Sequence, residues 1–393
     1  MKTFMHKIVI VVSFVAMSLH CWAIDGFIVQ TTDYSFSEKW SCTPNSSIAI
    51  IPEADTVFRD QKLYITAIAG GYQLAANKMA DVAYSIKIFR PDKTIYAQYD
   101  NMPILKGKVQ NVNLFQMSEY IISLVFEDDD ILGTYQIEVV ITDNVAKTEK
   151  NLESKVVLCD LPSYNNISLD EQAIGKWTTQ YYLDPHPEQA LPVYINLAQQ
   201  GMIDDESAFW PILSMMREIY LQNQFLQPQL LDCFASQDAE IQYFLLFLIH
   251  YIGIDDDNFR STLDSDNQAI ITYLDSIPFP NIYGDIYSLV LFDMLWGNFM
   301  ASGSYKPVLK LIHSLDYAKY KKYEGSLKKV DIDNISEGEM NKLINYMSYN
   351  ALVWSLSSNC EQHPLVRQYC EWALQYEKLS GLQRKELKKI LKK

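Results

Sequence analysis

Between Phe27 and about Cys159 apolar and polar residues alternate, the two-residue period of strands that bury one face. Val82, Tyr84, Ile86 and Ile88 are interleaved with Ala83, Ser85 and Lys87, and Pro91-Asp92-Lys93 then turns the chain into residues 94–99, a hairpin signature. Ile122, Leu124 and Phe126 alternate in the same way. So do Tyr135, Ile137, Val139 and Ile141, after the acidic turn Asp128-Asp129-Asp130. With residues 63–69, 107–115 and 154–158 this predicts about seven or eight strands separated by turn residues, the pattern of an antiparallel sandwich.

The polar, proline-containing stretch Leu161-Pro162-Ser163-Tyr164-Asn165-Asn166 marks a change of period. Beyond it the spacing predicts helices over residues 188–200, 206–222, 227–235, 239–252, 268–277, 283–300, 306–317, 338–356 and 364–379. Pro187-Glu188, Asp204-Asp205-Glu206-Ser207 and His363-Pro364 mark starts, and Gly201, Gly253 and Gly303 mark stops. Short connections between helices of similar length predict stacked antiparallel hairpins, an all-α helical array that is α-solenoid-like but without a strict repeat period. The longest apolar run after the N-terminus, residues 243–249, falls within a helical period and is expected to be a buried helix rather than a membrane span.

Gly133-Thr134-Tyr135-Gln136-Ile137-Glu138-Val139 resembles the penultimate strand of extracellular Ig-like and fibronectin-like modules. There a corner tyrosine hydrogen-bonds back to the preceding loop. The expected fold is therefore multidomain α and β, an N-terminal antiparallel Ig-like β-sandwich followed by the helical array. Trp40 is its one internal tryptophan, so an antibody-type disulfide-plus-tryptophan core is not expected. In the second half three groups of residues stand out: Trp177 to Leu183 with Pro185-His186-Pro187; Leu295-Trp296-Gly297-Asn298-Phe299 with Gly303 and Pro307-Val308; and Trp354-Ser355-Leu356 with Gln362 to Val366. Together they resemble an uncharacterised family of bacterial helical proteins over roughly residues 177–375. The resemblance implies an all-helical domain whose aromatics and prolines fix helix packing and helix starts, and it carries no known activity.

The N-terminus changes the expected location. Lys2 and Lys7 precede an apolar run from Ile8 to Leu19, and Cys21-Trp22-Ala23 places small side chains where a signal peptidase cuts. Residues 1–23 are expected to be a cleaved signal peptide, followed by a sandwich over 24–160, a linker over 161–176, a helical domain over 177–380 and a basic helix end over 381–393. The chain is expected to work in the periplasm or outside the cell. Its formal charge of −15 disfavours nucleic acid as a partner. The exception is the C-terminus, where Arg384, Lys385, Lys388, Lys389, Lys392 and Lys393 accompany the apolar stripe Leu387, Ile390 and Leu391. That end would make weak contact with a membrane surface, or be a solvated helix whose lysines suit its own dipole.

Export makes disulfides available. Cys42 with Cys159 and Cys360 with Cys370 are the candidate pairs, with Cys233 left over. The alternative is that all five thiols are buried apolar side chains. His186 between Pro185 and Pro187, near Asp184 and Glu188, has no metal-ligand spacing, and the prolines read as a stiff helix entry. Asp264, Asp266, Gln268 and Asp275 follow part of a calcium-loop template, but Ala269 stands where the loop needs glycine. Asp255-Asp256-Asp257 reads as a capping turn, and His250 and His313 as core or flank histidines. Nucleophile-elbow, zinc-protease, P-loop and dinucleotide motifs are absent, so no cofactor, metal or catalytic residue is assigned. The expected function is an exported binding or scaffolding protein with a protein partner. The alternative is a hydrolase acting on envelope glycan or peptide, with carboxylates in the helical domain as acid and base.

Overall fold

The computed structural model describes residues 24–109, 114–286, 288–327 and 335–392. The expected signal peptide and the middle of the strand expected at 107–115 lie outside these residues. The strand-rich half contains β1 (Asp25–Thr31), α1 (Phe36–Ser41), β2 (Thr56–Phe58), β3 (Lys62–Gly70), β4 (Met79–Phe89), β5 (Ile95–Lys108), β6 (Gln116–Met117), β7 (Ile122–Val125), β8 (Gly133–Asp143) and β9 (Thr148–Cys159). One sheet has the order β1-β3-β6, with β7 also on β3; the other has the order β2-β9-β8-β4-β5. The inward positions of both sheets make one core. Leu63 and Ile65 on β3 meet Val82, Tyr84, Ile86 and Ile88 on β4 and Tyr135, Ile137, Val139 and Ile141 on β8. Each such aliphatic side chain contributes about 1.5–3 kcal/mol on burial.

Two details depart from expectation. Short β2 runs parallel to β9, so the second sheet is not purely antiparallel. The corner bond of Tyr135 is not made either. Its ring packs on Tyr96 and Phe126, and its buried hydroxyl faces the Ile131 backbone without reaching hydrogen-bonding geometry.

The C-terminal half is helical: α2 (Glu171–Gln180), α3 (Ala190–Gln199), α4 (Glu206–Gln222), α5 (Gln227–Phe234), α6 (Ala239–Ile252), α7 (Asp257–Ser261), α8 (Ser265–Leu274), α9 (Val290–Ser302), α10 (Tyr305–His313), α11 (Glu324–Leu327), α12 (Glu337–Gln362), α13 (Pro364–Tyr376) and α14 (Gly381–Ile390). Asp170, Asp205, Asp238, Asp256 and Asp264 each accept a backbone N–H at a helix start. Gly253 and Gly303, at φ 77° and 61°, close α6 and α9 in the left-handed region where a side chain would be strained. The helices are unequal, 5 residues in α7 against 26 in α12, so hairpins of similar length are not what forms.

The linker expected at 161–176 is also built into the fold. Leu161, Tyr164 and Leu169 pack on the helical core, Gln229 Nε2 donates to the Pro162 carbonyl, and α2 begins at Glu171. The C-terminal helix end behaves similarly. Leu387 and Ile390 are buried in the core shared by α9, α10, α12 and α13, and Leu391 packs against it, so the apolar stripe expected to meet a membrane is already covered. No described helix is long and apolar enough to cross a membrane.

The segment after β1 leaves the sheets and docks on the helices. Lys39 and Asp33 form a buried ion pair at 2.6 Å, and the Ser35 hydroxyl donates to the Ser302 carbonyl at 2.8 Å. Glu38 accepts from Ser304 Oγ at 2.6 Å and from the Tyr305 N–H at 2.9 Å, and Tyr34 donates to Glu218 at 2.6 Å. Cys42 and Ile50 pack against the same helical core as α14. Trp40 packs beside Phe36, Val29 and Ile68.

Candidate functional site: an aromatic cleft with unpaired acids

Alpha-helix α6 is apolar almost all round, and its residues divide between two environments. Leu245, Leu246, Leu248 and Ile249 are fully enclosed. Glu240, Tyr243, Phe244, Phe247 and Tyr251 recur at spacings of three and four and so share one face. That face lines a cleft of about 440 Å³, completed by Asp204, Glu206, Phe209 and Trp210 at the start of α4, by Tyr273 on α8, and by Ile203 and Ile277.

The rings form a continuous set. Phe209 meets Phe247 edge to face at 5.1 Å, Tyr243 meets Phe247 at 5.0 Å, and Trp210 reaches Tyr251 at 6.1 Å. At the mouth Tyr243 is 43% and Tyr273 62% exposed, a large aromatic area to leave in water. Burial, followed by the nearby Tyr273, pushes the Tyr243 and Tyr251 phenols above their usual value, so both remain neutral donors. The Tyr251 hydroxyl is used on the Ile277 carbonyl at 3.2 Å.

The acids of the cleft differ from their neighbours in sequence. Asp205 and Asp238 are spent on the caps of α4 and α6. Asp204, Glu206 and Glu240 are exposed and make no hydrogen bond or ion pair with the described residues. No basic residue lines the cleft. Of the two nearby arginines, Arg217 stacks on Phe279 and donates to the Tyr251 carbonyl, and Arg260 is held by Asp255 and Asp275.

Sequence reasoning read residues 243–249 as a buried segment and missed this face. The signal was present in the spacing of Glu240, Tyr243, Phe247 and Tyr251, where rings and an acid replace the aliphatic residues of the opposite side. What spacing could not supply was the partner wall from α4 and α8.

The other residues singled out in the sequence fall elsewhere. Cys42 and Cys159 are not bridged: Cys42 packs on the helical core, where burial and then Glu38 push its thiol up to about 12, whereas Cys159 pairs with Phe58 between β9 and β2. Cys360 and Cys370 are brought together, Sγ to Sγ at 3.6 Å between α12 and α13, both buried and both free thiols. Cys233 is buried alone in α5.

His186 sits 3.4 Å from Asp184 and 3.0 Å from Glu188. Hydrogen bonds to Asp184 and then Glu188 raise its imidazole to about 10, a charged clamp at a helix entry, where Trp177 also donates to the His186 carbonyl. His250, Asp255 and Asp275 draw together closely enough to resemble a metal set. The Arg260 guanidinium already bonds both carboxylates there, at 2.5 and 2.8 Å, and supplies the positive charge that a metal would. Asp264 serves as a cap, and Asp130 accepts from Tyr96 and from the Glu127 N–H. Trp354 is 73% exposed, so unlike Trp177 and Trp296 it fixes no helix packing.

No known family model matches the chain, and no curated protein matches it. Among solved structures it is similar, at a TM-score of 0.23 and 9% identity, to a family 123 glycoside hydrolase from Clostridium perfringens, over 50% of this chain and 36% of that one. A second, described as pT26-6p, gives a TM-score of 0.17 and 10% identity, over 75% of this chain and 46% of that one. The chain thus spans less than half of either, and at these scores neither likeness informs the fold or the site.

Proposed function

We propose that this is an exported binding protein of the bacterial cell envelope or exterior, and that its helical half captures a protein partner in the aromatic cleft. The observation carrying this is the combination at the cleft mouth: large rings left in water beside carboxylates with no partner of their own. Preformed clefts lined by aromatics with a few polar groups are the usual form of a binding site, and tyrosine and tryptophan dominate contact energy at interfaces.

In the finer version of this proposal the strand-rich half is an Ig-like sandwich that positions the cleft, and the helices are an α-solenoid-like array. Two sheets sharing one core support the first. Contacts of α6 with both α4 and α8 support the second. Export rests on the charged, apolar and small-residue pattern of residues 1–23.

A photoreactive phenylalanine analogue at Tyr273 in living cells tests the proposal. A discrete protein adduct is expected there, and none with the same probe at Tyr99, an exposed residue of β5. Equal labelling at both positions, or at neither, would reject it. The alternative is a hydrolase, favoured by three carboxylates in one cleft; loss of turnover on envelope glycan or peptide in Glu206→Gln or Glu240→Gln would decide for it.

A further inference from the structure

Resting on the proposal that the cleft is a binding site, we infer that its occupant is a cationic segment of another polypeptide. A lysine or arginine side chain lies against the rings of Tyr243 and Tyr273, with its charge toward Asp204, Glu206 and Glu240. Four features of the cleft lead to this.

The first is its charge. The lining holds three acidic residues and no basic one, and both nearby arginines are committed elsewhere, Arg217 to a ring and a carbonyl and Arg260 to two aspartates. The surrounding molecule has the same sign, with a formal charge of −15, so cations are steered toward the cleft and anions away from it.

The second is the polar inventory. The polar side chains lining the cleft are three acids, three tyrosines and Trp210, with no amide or guanidinium among them. A neutral oligosaccharide stacked on the rings could donate hydroxyls to the carboxylates but would bring no counter-charge against the cost of burying them. A cation offsets that cost at the moment of burial.

The third is the aromatic surface itself. Ring faces attract ammonium and guanidinium groups by their quadrupole, and tyrosine is well suited to this. The same chain uses the contact internally, with Lys306 Nζ 4.1 Å from the Tyr283 ring and Arg217 4.6 Å from that of Phe279. Tyr243 and Tyr273 offer comparable faces with no cation over them among the described residues.

The fourth is size. A volume of about 440 Å³ lies in the range of small-ligand sites, enough for a few side chains of an extended segment but too small to enclose a folded domain. The apolar floor of Phe209, Phe244 and Phe247 suits aliphatic neighbours of the cation.

The test is a selection of displayed random dodecapeptides on the full mature chain, counter-selected on a Tyr243→Ala/Tyr273→Ala variant. Both residues are exposed, so the variant should keep the parent's circular dichroism and melting temperature. Enriched sequences should carry lysine or arginine beside apolar residues. Synthesised winners should lose about 3- to 10-fold in affinity for each ring removed. They should bind more weakly as salt rises, and should lose binding to Glu240→Lys. Enrichment of acidic or uncharged sequences, or affinity indifferent to salt and to Glu240→Lys, would overturn the inference.

A calorimetric titration with neutral chitohexaose and cellohexaose separates the two levels. Saccharide binding that depends on Tyr243 and Tyr273, without enrichment of basic peptides, removes the cationic occupant but keeps a binding cleft. If neither peptides nor saccharides respond to the two rings, both fall.

Discussion

Lys39 and Asp33 show what single side chains contribute here. Their side chains are 1% and 4% exposed, and Asp33 also accepts from the backbone N–H of Ser35 at 2.8 Å. Lys39→Met leaves a buried carboxylate without its counter-charge and should cost about 3–5 kcal/mol in denaturant unfolding. Adding Asp33→Asn should recover part of that loss; a double variant no more stable than the single one would mean the two charges are not coupled. His363 gives a pH prediction. Burial holds its imidazole below the usual value, with the Tyr182 hydroxyl 3.1 Å from Nδ1 and the Phe299 ring beside it. The unfolded chain takes up a proton near pH 6.5, before the folded one does. Stability from this residue is therefore full above that pH and is lost as pH falls toward the lower folded value. His363→Gln should flatten the fall in melting temperature between about pH 7 and pH 5, and an unchanged slope would assign the acid sensitivity elsewhere. Lys39 did not stand out in the sequence, because a lysine two positions before a serine-cysteine turn looks solvated until a second element closes over it, and His363 was read only as part of a helix start with Pro364.

Helix α6 was legible to the residue, from 239 to 252, because Asp238 caps its start, Gly253 ends it and apolar residues fill the interval. Its neighbours were less so. Helix α8 begins at Ser265 rather than 268, since Asp264 acts as a cap, and α9 begins only at Val290, after a loop in which Tyr283 and Ile286 pack without helical structure. Periodicity reports burial, and buried loop residues satisfy it as well as helical ones. Helices α4 and α9 cross closely at Gly297, where an added Cβ would stand 2.2 Å from the Pro211 carbonyl oxygen. Gly297→Ala must push the two helices apart, and should lower stability by about 1–3 kcal/mol or more, read by thermal melting. A neutral effect would mean that α4 shifts freely, contrary to its extensive packing on α9.

The two halves of the molecule are joined by more than the chain between them. Tyr34, Ser35, Glu38 and Lys39 belong by sequence to the strand-rich half, yet their partners are Glu218, Ser302, Ser304 and the surroundings of Gly303. A fragment of residues 161–392 lacks this cover over the helical core and should express with lower solubility and a broader melting transition than the parent. Equal cooperativity would show the docking segment to be dispensable. The proposed export makes a second prediction at this level: protein recovered from the envelope should start at Ile24. With Cys360 and Cys370 already 3.6 Å apart, intact-mass measurement without reductant should find it lighter by two hydrogens than after reduction. In Cys370→Ser that difference should vanish, and a difference that persists would assign the bridge to other thiols.

The change from a two-residue to a helical period near residue 161, the acidic helix starts at Asp205 and Asp256 and the glycine stops were readable in one dimension, because local steric and hydrogen-bonding rules act over a few residues. The cleft was not. Its walls come from α4, α6 and α8, and whether Tyr243 faces a neighbour or water depends on how those helices pack. The same holds for Cys42 and Cys159, which look like a pair along the chain but lie against different cores, and for the C-terminal lysine helix, whose apolar stripe was plain in the sequence while its burial against α13 was not. Packing of distant elements is a cooperative property of the whole chain, and it alone fixes which exposed rings and which unpaired acids share a surface.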